Sequence, residues 1–232
     1  TENYFGSVDS TEAVKKQIGG SGGDTIFKPF FTSKTLDDDV LVFDNDNNQI
    51  AFSKDIQTAV DVAEPGDTIE VGPGSYDESV TVDVEGLTLK GPNAGIDGNN
   101  GDERGSEASF SIANDITVDD VTINGFELTG TSTTEIHGSN TVISYSDVNV
   151  PDGEAPFRLH DGSDGTIIKK NRFANGDGGT FIINARQDFS QEIDSIKITD
   201  NTFESITGTS GSGTSVIQAA GFTNADISGN DF

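Results

Sequence analysis

The sequence repeats a short motif at irregular intervals. Ile168-Lys-Lys-Asn171-Arg-Phe173, Ile198-Thr-Asp-Asn201-Thr-Phe203 and Ile227-Ser-Gly-Asn230-Asp-Phe232 all read I-x-x-N-x-F. Val121-Thr-Ile-Asn124-Gly-Phe126 reads as a fourth copy and Ile143-Ser-Tyr-Ser146-Asp-Val148 as a degenerate fifth. Successive final residues are separated by 22, 25, 30 and 29 positions. A fixed core with variable spacing specifies coils of constant girth carrying loops of different length. In such a stack Phe126, Val148, Phe173, Phe203 and Phe232 line one interior column. Asn124, Asn171, Asn201 and Asn230 form a turn ladder, each amide bonding the next coil's backbone. With coils about 4.8 Å apart, roughly seven of them make a rod on the order of 30 Å long.

The stretch before the repeats supplies the start of that stack. Ser53 is placed to cap a helix that carries Ile56, Ala59, Val60 and Ala63 on one face and ends at Pro65-Gly66. From Asp67 helical periodicity gives way to short alternating strands punctuated by glycine. Upstream, Val40-Leu41-Val42-Phe43 and Gln49-Ile50-Ala51-Phe52 flank an Asn/Asp-rich turn, the pattern of a β-hairpin. In residues 1–34, Asp9 and Glu12 make a capping box for a short helix stopped at Gly19-Gly20, and Thr25–Phe30 contains a strand ended by Pro29. The expected fold is all-β: a right-handed parallel β-helix over 67–232, a hairpin and short capping helix over 35–66, and a separate segment over 1–34.

Composition fits a thin solenoid. Only 32% of the 232 residues are hydrophobic, without Trp, Met or Cys, which is lean for a broad core. The net charge of −27 repels nucleic acid and anionic lipid, so neither is an expected partner. The acidity reads either as a solvated coat suited to high salt or as a set of calcium sites, and the spread of acids along the chain favours the coat. No apolar run reaches the roughly 18 residues a membrane helix needs, so no membrane insertion is expected. No signal peptide heads the sequence and Thr1 is not an initiator methionine, so the chain reads as a mature or excised segment. It contains no Asn-x-Ser/Thr glycosylation motif.

The segment Ala59 to Val82, AVDVAEPGDTIEVGPGSYDESVTV, resembles the N-terminal opening of right-handed parallel β-helix proteins of the pectin-lyase-like superfamily. Within that group it is most similar to secreted and surface-layer-like β-helix repeat proteins of archaea, bacteria and their viruses. Asn3-Tyr4-Phe5-Gly6-Ser7 and Lys28-Pro29-Phe30-Phe31-Thr32 resemble the segment that closes a β-helix module there, with Phe and Tyr in place of tryptophans. The resemblance implies that residues 1–34 close a preceding module. One period of a tandem array would then be represented out of phase. Asn3, Tyr4, Phe5 and Gly6 become inter-unit contacts, and Phe232 of one unit abuts Thr1 of the next, through a peptide bond or by docking.

That superfamily also contains polysaccharide lyases and glycoside hydrolases. None of the four arginines, Arg104, Arg158, Arg172 and Arg186, stands in the Arg-x-Pro-x-x-Arg context of the lyases. Of the hydrolase signatures only Asp119-Asp120 is present, without Gly-His-Gly or Arg-Ile-Lys. Adjacent residues on a strand point to opposite faces, so these two cannot pair as acid and base. Arg158-Leu159-His160 puts Arg158 and His160 on one strand face, where Lys169 or Arg186 from later coils could join them to bind an acidic sugar. The competing reading is a surface turn at Asp161-Gly162. Asp44, Asp46, Asn48 and Asp55 have the spacing of a calcium loop, although Gln49 replaces its glycine and Asp55 its glutamate. A plain hairpin turn explains the same residues.

These readings lead to a non-catalytic structural repeat module of a surface fibre, adhesin or surface-layer-like protein, extracellular or on a cell or virion surface. Its expected partner is a copy of itself, end to end. No cofactor is required, and calcium is the cation its aspartate loop would take. The alternatives are a carbohydrate-binding module using Arg158, His160 and Arg186, or a divergent lyase or hydrolase.

Overall fold

A computed structural model describes residues 40–112, 115–130, 133–149, 155–174, 183–185, 192–204, 216–219 and 221–232. The segment 1–34, with Asn3, Tyr4, Phe5 and Gly6, lies outside them, as does Arg186. The regular secondary structure of the described residues is nearly all strand, with one short helix, Ile56–Val60.

Three parallel sheets take their strands in sequence order. The first runs Thr68–Val71, Thr88–Lys90, Thr122–Asn124, Val142–Ser144, Ile167–Lys169, Lys197–Thr199 and Asp226–Ser228. The second runs Gly74–Val80, Ala108–Ile112, Glu127–Thr129, Asp147–Asn149, Arg172–Ala174 and Thr202–Glu204. The third runs Thr134–Ile136, Phe157–Leu159, Ile183–Ala185 and Ile217–Gln218. Ile193–Asp194 and Phe222–Thr223 form a further parallel pair. Parallel neighbours cannot be joined by a hairpin, so the chain must leave a sheet and return. It does so in a fixed order: Thr122–Asn124, Glu127–Thr129 and Thr134–Ile136 visit the three sheets before Val142–Ser144 returns to the first. This all-β arrangement is compatible with the expected β-helix.

Most strands span three residues, and in the first two sheets alternation generally buries the middle one. Ile69, Leu89, Ile123, Ile143, Ile168 and Ile198 are paired in register and completely buried. Phe110, Leu128, Val148, Phe173 and Phe203 form a second such column. Each burial stabilises by about 1.5–3 kcal/mol. Phe173 and Phe203 stack at 4.9 Å with planes 12° apart, and Phe203 and Phe232 at 5.1 Å and 6°. Identical residues in register on parallel strands meet face to face because ring separation matches strand separation.

The register corrects one part of the repeat. Ile123 pairs with Ile143, which pairs with Ile168. Asn124 is therefore level with Ser144 and Lys169, not with Asn171. The Phe126 amide donates to Ser146 Oγ at 3.3 Å, as the Ser146 amide does to Asn171 Oδ1 at 2.9 Å, so Phe126 occupies the asparagine position of its row. Leu128 takes the place assigned to Phe126, and its pairing with Val148 makes the first step 20. A shift of two preserves which face every side chain occupies, so alternation alone cannot detect it.

Left-handed residues turn the chain at both borders of the first sheet. Asp120, Asn140, Ser195 and Asn224 precede its strands, with φ of 49–60°; Tyr145, Lys170 and Asp200 follow them, each with φ of 55°. Gly125 belongs to the second set and has no substitute, because a Cβ there would lie 2.2 Å from the Ala94 nitrogen.

The first row is covered. The hairpin of Val40–Phe43 and Gln49–Ser53 forms as expected, and its first strand pairs antiparallel with Thr68–Val71, extending the first sheet. The helix buries Ile56, Ala59 and Val60. Its N-cap is Asp55 rather than Ser53, and the Asp55 side chain makes no capping bond. Glu78 caps it from the second sheet instead, accepting from the Ile56 amide at 2.6 Å and the Gln57 amide at 3.0 Å. Gln57 Oε1 accepts from the Thr81 amide at 2.7 Å, next to the edge strand Gly74–Val80. A helix thus occupies the side of an edge strand that could otherwise pair with another chain. At the other end Ile227 is 41% and Phe232 71% exposed, the exposed large hydrophobics among the described residues.

Candidate functional site

The outer face of the third sheet gathers the densest mixed chemistry. Ile136 and Leu159 point inward in register, and Ile136 bridges Ile116, so the residues flanking them turn out to solvent. Arg158 lies level with Glu135, and its Nη1 donates to Glu135 Oε1 at 2.5 Å. The other carboxylate oxygen, Oε2, is hydrogen bonded to His160 Nε2. The His160 ring stacks on His137 at 4.3 Å with planes 15° apart, and His137 Nε2 lies 3.9 Å from Asp115 Oδ2. The His160 side chain is 12% exposed and that of His137 38%, so one ring packs while the other meets solvent.

The structure therefore brings Arg158 and His160 to one face and adds Glu135, His137 and Asp115, which the sequence reading did not include. A signal for them exists: Glu135-Ile-His137 repeats the charged-apolar-His order of Arg158-Leu-His160. Glu135 changes the chemistry, because it neutralises the guanidinium a uronate would need. What remains is a polar, hydrogen-bonding surface of two imidazoles and two carboxylates around one paired arginine.

The acidic residues singled out in the sequence hold turns. Asp44 Oδ1 accepts from the amides of Asp46 and Asn48 at 3.0 and 2.8 Å, and Asn48 Nδ2 donates to both carboxylate oxygens. These bonds from Asn48, then Asp46, hold the Asp44 carboxyl below its ordinary value. Asp55 accompanies the helix start, its amide donating to Ser53 Oγ at 3.0 Å. Among the described residues no three His, Asp or Glu side chains converge as metal ligands would. Asp119 Oδ1 accepts from the Ser139 amide at 2.7 Å, and Asp120 Oδ1 from Asn140 Nδ2 at 3.0 Å. Asp164 does the same for the Asp194 amide at 2.7 Å. Asp194 in turn takes Asn224, Thr223 and Ser195, which lower its pKa. These carboxylates tie each row to the next.

The asparagine ladder runs through Asn171, Asn201 and Asn230. Asn201 Oδ1 accepts from the Asn171 amide at 3.0 Å and Asn230 Oδ1 from the Asn201 amide at 3.0 Å. Their Nδ2 groups donate to the carbonyls of Ile143, Ile168 and Ile198.

A loop over 91–107 crosses several rows like a strap, a feature absent from the sequence reading. The Gly91 amide bonds the Asn124 carbonyl, the Gly98 amide the Lys170 carbonyl at 2.9 Å, and Asn99 Nδ2 the Thr202 hydroxyl at 2.8 Å. Arg104, 5% exposed, pairs with Glu107 and donates to the carbonyls of Tyr145 and Ile96. Nearby, Arg172 bridges Asp147 and Glu204, both at 3.0 Å. Burial lowers the Arg172 affinity for its proton, but the charges of Asp147 and Glu204 outweigh it and the pKa rises. Burial pushes Asp147 up despite Arg172 and Arg104. The two shifts do not mirror each other because Arg172 has a second carboxylate and Asp147 sits near Glu107.

A groove of about 340 Å³ opens over the second sheet where Gly74–Val80 bulges. Ser75, Tyr76, Asp77, Ser79, Ser109 and Ser111 line it. No helix among the described residues is long and apolar enough to cross a membrane. No protein-family model, curated protein or solved structure matches this chain.

Proposed function

We propose that this chain is a non-catalytic structural module, wound as a right-handed parallel β-helix of the pectin-lyase-like type. It serves an extracellular fibre, adhesin or surface-layer-like protein, and copies stack end to end. The observation that carries this reading is the stacking of like rows in register, each presenting the same kind of face to the next. Hairpin and helix cover the first row, whereas the Phe173–Phe203–Phe232 column runs out to a face exposing Phe232 and Ile227. A further row on that face, from the continuing chain or from another copy, would extend the ring stack and bury both side chains. Unlike ends favour head-to-tail contacts, which build filaments when the rotation does not close. The acid-rich exterior supports a solvated coat in high salt.

Electron microscopy of native material in high salt tests the reading. Filaments with an axial repeat of one unit, lost in an Ile227→Asp, Phe232→Ser variant, are expected. Discrete monomers would overturn it. Repeating the grids with a calcium chelator reports whether calcium joins the units.

Carbohydrate binding is the second reading, favoured by the hydroxyl-rich groove at Tyr76 and by the Glu135, His137, Arg158, His160 face. Retention on a polysaccharide column, lost when Arg158 and His160 are both alanine, would support the latter face. A divergent lyase or hydrolase would instead release unsaturated uronates or reducing ends.

A further inference from the structure

Two Asn-Gly pairs fall among the described residues, and the fold treats them oppositely. Asn124 ends a strand of the first sheet, its Oδ1 accepts from the Gly95 amide at 3.1 Å, and the Gly125 amide donates to the Ser144 carbonyl at 3.1 Å. Asn100-Gly101 stands in the strap. Gly101 is exposed, its amide makes no hydrogen bond among the described residues, and a Cβ placed on it would meet nothing within 4 Å. The Asn100 side chain is likewise without a hydrogen-bond partner among them.

We infer that Asn100 is a site of succinimide-mediated deamidation whose conversion loosens the strap. The Gly101 backbone nitrogen, giving up its proton, attacks the Asn100 side-chain carbonyl carbon. A C–N bond forms, the bond to the amide nitrogen breaks, and ammonia leaves with the proton. Water then adds to either carbonyl of the five-membered ring and opens it to aspartate or isoaspartate. Glycine favours the first step because no side chain obstructs the approach of its nitrogen. At Asn124 the same nitrogen is held in a hydrogen bond and the side-chain oxygen is engaged, so ring closure would break both.

The product acts on the strap through the backbone. The Asn100 carbonyl accepts from the amides of Glu103 and Arg104, each at 3.1 Å. Isoaspartate routes the main chain through the former side chain and adds a carbon to that turn. Arg104, whose guanidinium ties the strap to Tyr145 and Glu107, is then drawn out of register. The extra carboxylate also adds negative charge beside Asp97, Asp102 and Glu103.

The test is peptide mapping of the folded protein aged at mildly alkaline pH, with enzymatic methylation of isoaspartate as a second readout. The Asn100 peptide should convert to a mixture of aspartate and isoaspartate while the Asn124 peptide stays amidated, and aged protein should become protease-sensitive within 91–107. Gly101→Ala, which has room for its methyl group, should suppress the conversion without unfolding the chain. An intact Asn100 under conditions that convert both sites in urea would overturn the inference. So would equal conversion of Asn100 and Asn124 in the folded protein.

Discussion

Replacing Asn171 by alanine separates the ladder read from three-dimensional register from the one read off the sequence. Asn171 is completely buried, and its Oδ1 accepts from the equally buried Ser146 amide at 2.9 Å. Its Nδ2 donates to the Ile143 carbonyl at 2.9 Å and to Asn201 Oδ1 at 3.1 Å. Alanine strands a buried donor at about 1–3 kcal/mol and removes two further bonds at about 0.5–1.5 each, a loss of roughly 2–6 kcal/mol. Asn201 Oδ1 keeps the residue-171 amide, so damage does not spread along the column. Asn124→Ala is the control: the Gly95 amide that its side chain accepts from is exposed and turns to water, so the cost is no more than about 1 kcal/mol. Urea unfolding at constant m-value measures both, and hydrogen exchange at the Ser146 amide localises the effect. Equal costs for the two variants would refute the register argument.

Other expectations follow from single contacts. Gly138→Ala puts a Cβ 1.8 Å from the Val118 carbonyl oxygen and should cost about 3 kcal/mol or more in a melt. A near-neutral result would mean the third-sheet border has slack. Lys170→Asn should raise the unfolding free energy measured in urea by up to about 1 kcal/mol, since asparagine tolerates φ of 55° better and the 3.8 Å pair with Asp97 is more than a third exposed on the lysine side. Acid should act through two opposed sets of carboxylates. Asp44 and Asp194 have lowered values, so their contribution stands above the unfolded 3.8 and is lost as pH falls through the folded values. Asp147 is raised, so between 3.8 and its folded value the native state binds more protons, and acidification favours folding through it. Asp194→Asn should therefore flatten the acid limb of a stability–pH curve and Asp147→Asn steepen it. The reverse pattern would reject these assignments.

The sequence by itself determined whatever depends on local period. Alternation around one inward residue fixed the short strands, the Asn/Asp run fixed the hairpin turn, and the spacing of Ile56, Ala59 and Val60 fixed the helix face. Asn171, Asn201 and Asn230 stand out because equal environments in successive rows select equal residues. Register was beyond its reach at Val121–Phe126, since a slip of two leaves every side chain on its face and only pairing with Ile143 sets the alignment. The helix cap from Glu78, the bond from Arg104 to Tyr145 and the joining of Glu135 and His137 to His160 link residues 21 or more apart along the chain. Their contacts depend on how many residues each loop inserts between rows. Loop length is free in the sequence, and only the stacked structure decides which side chains it brings level.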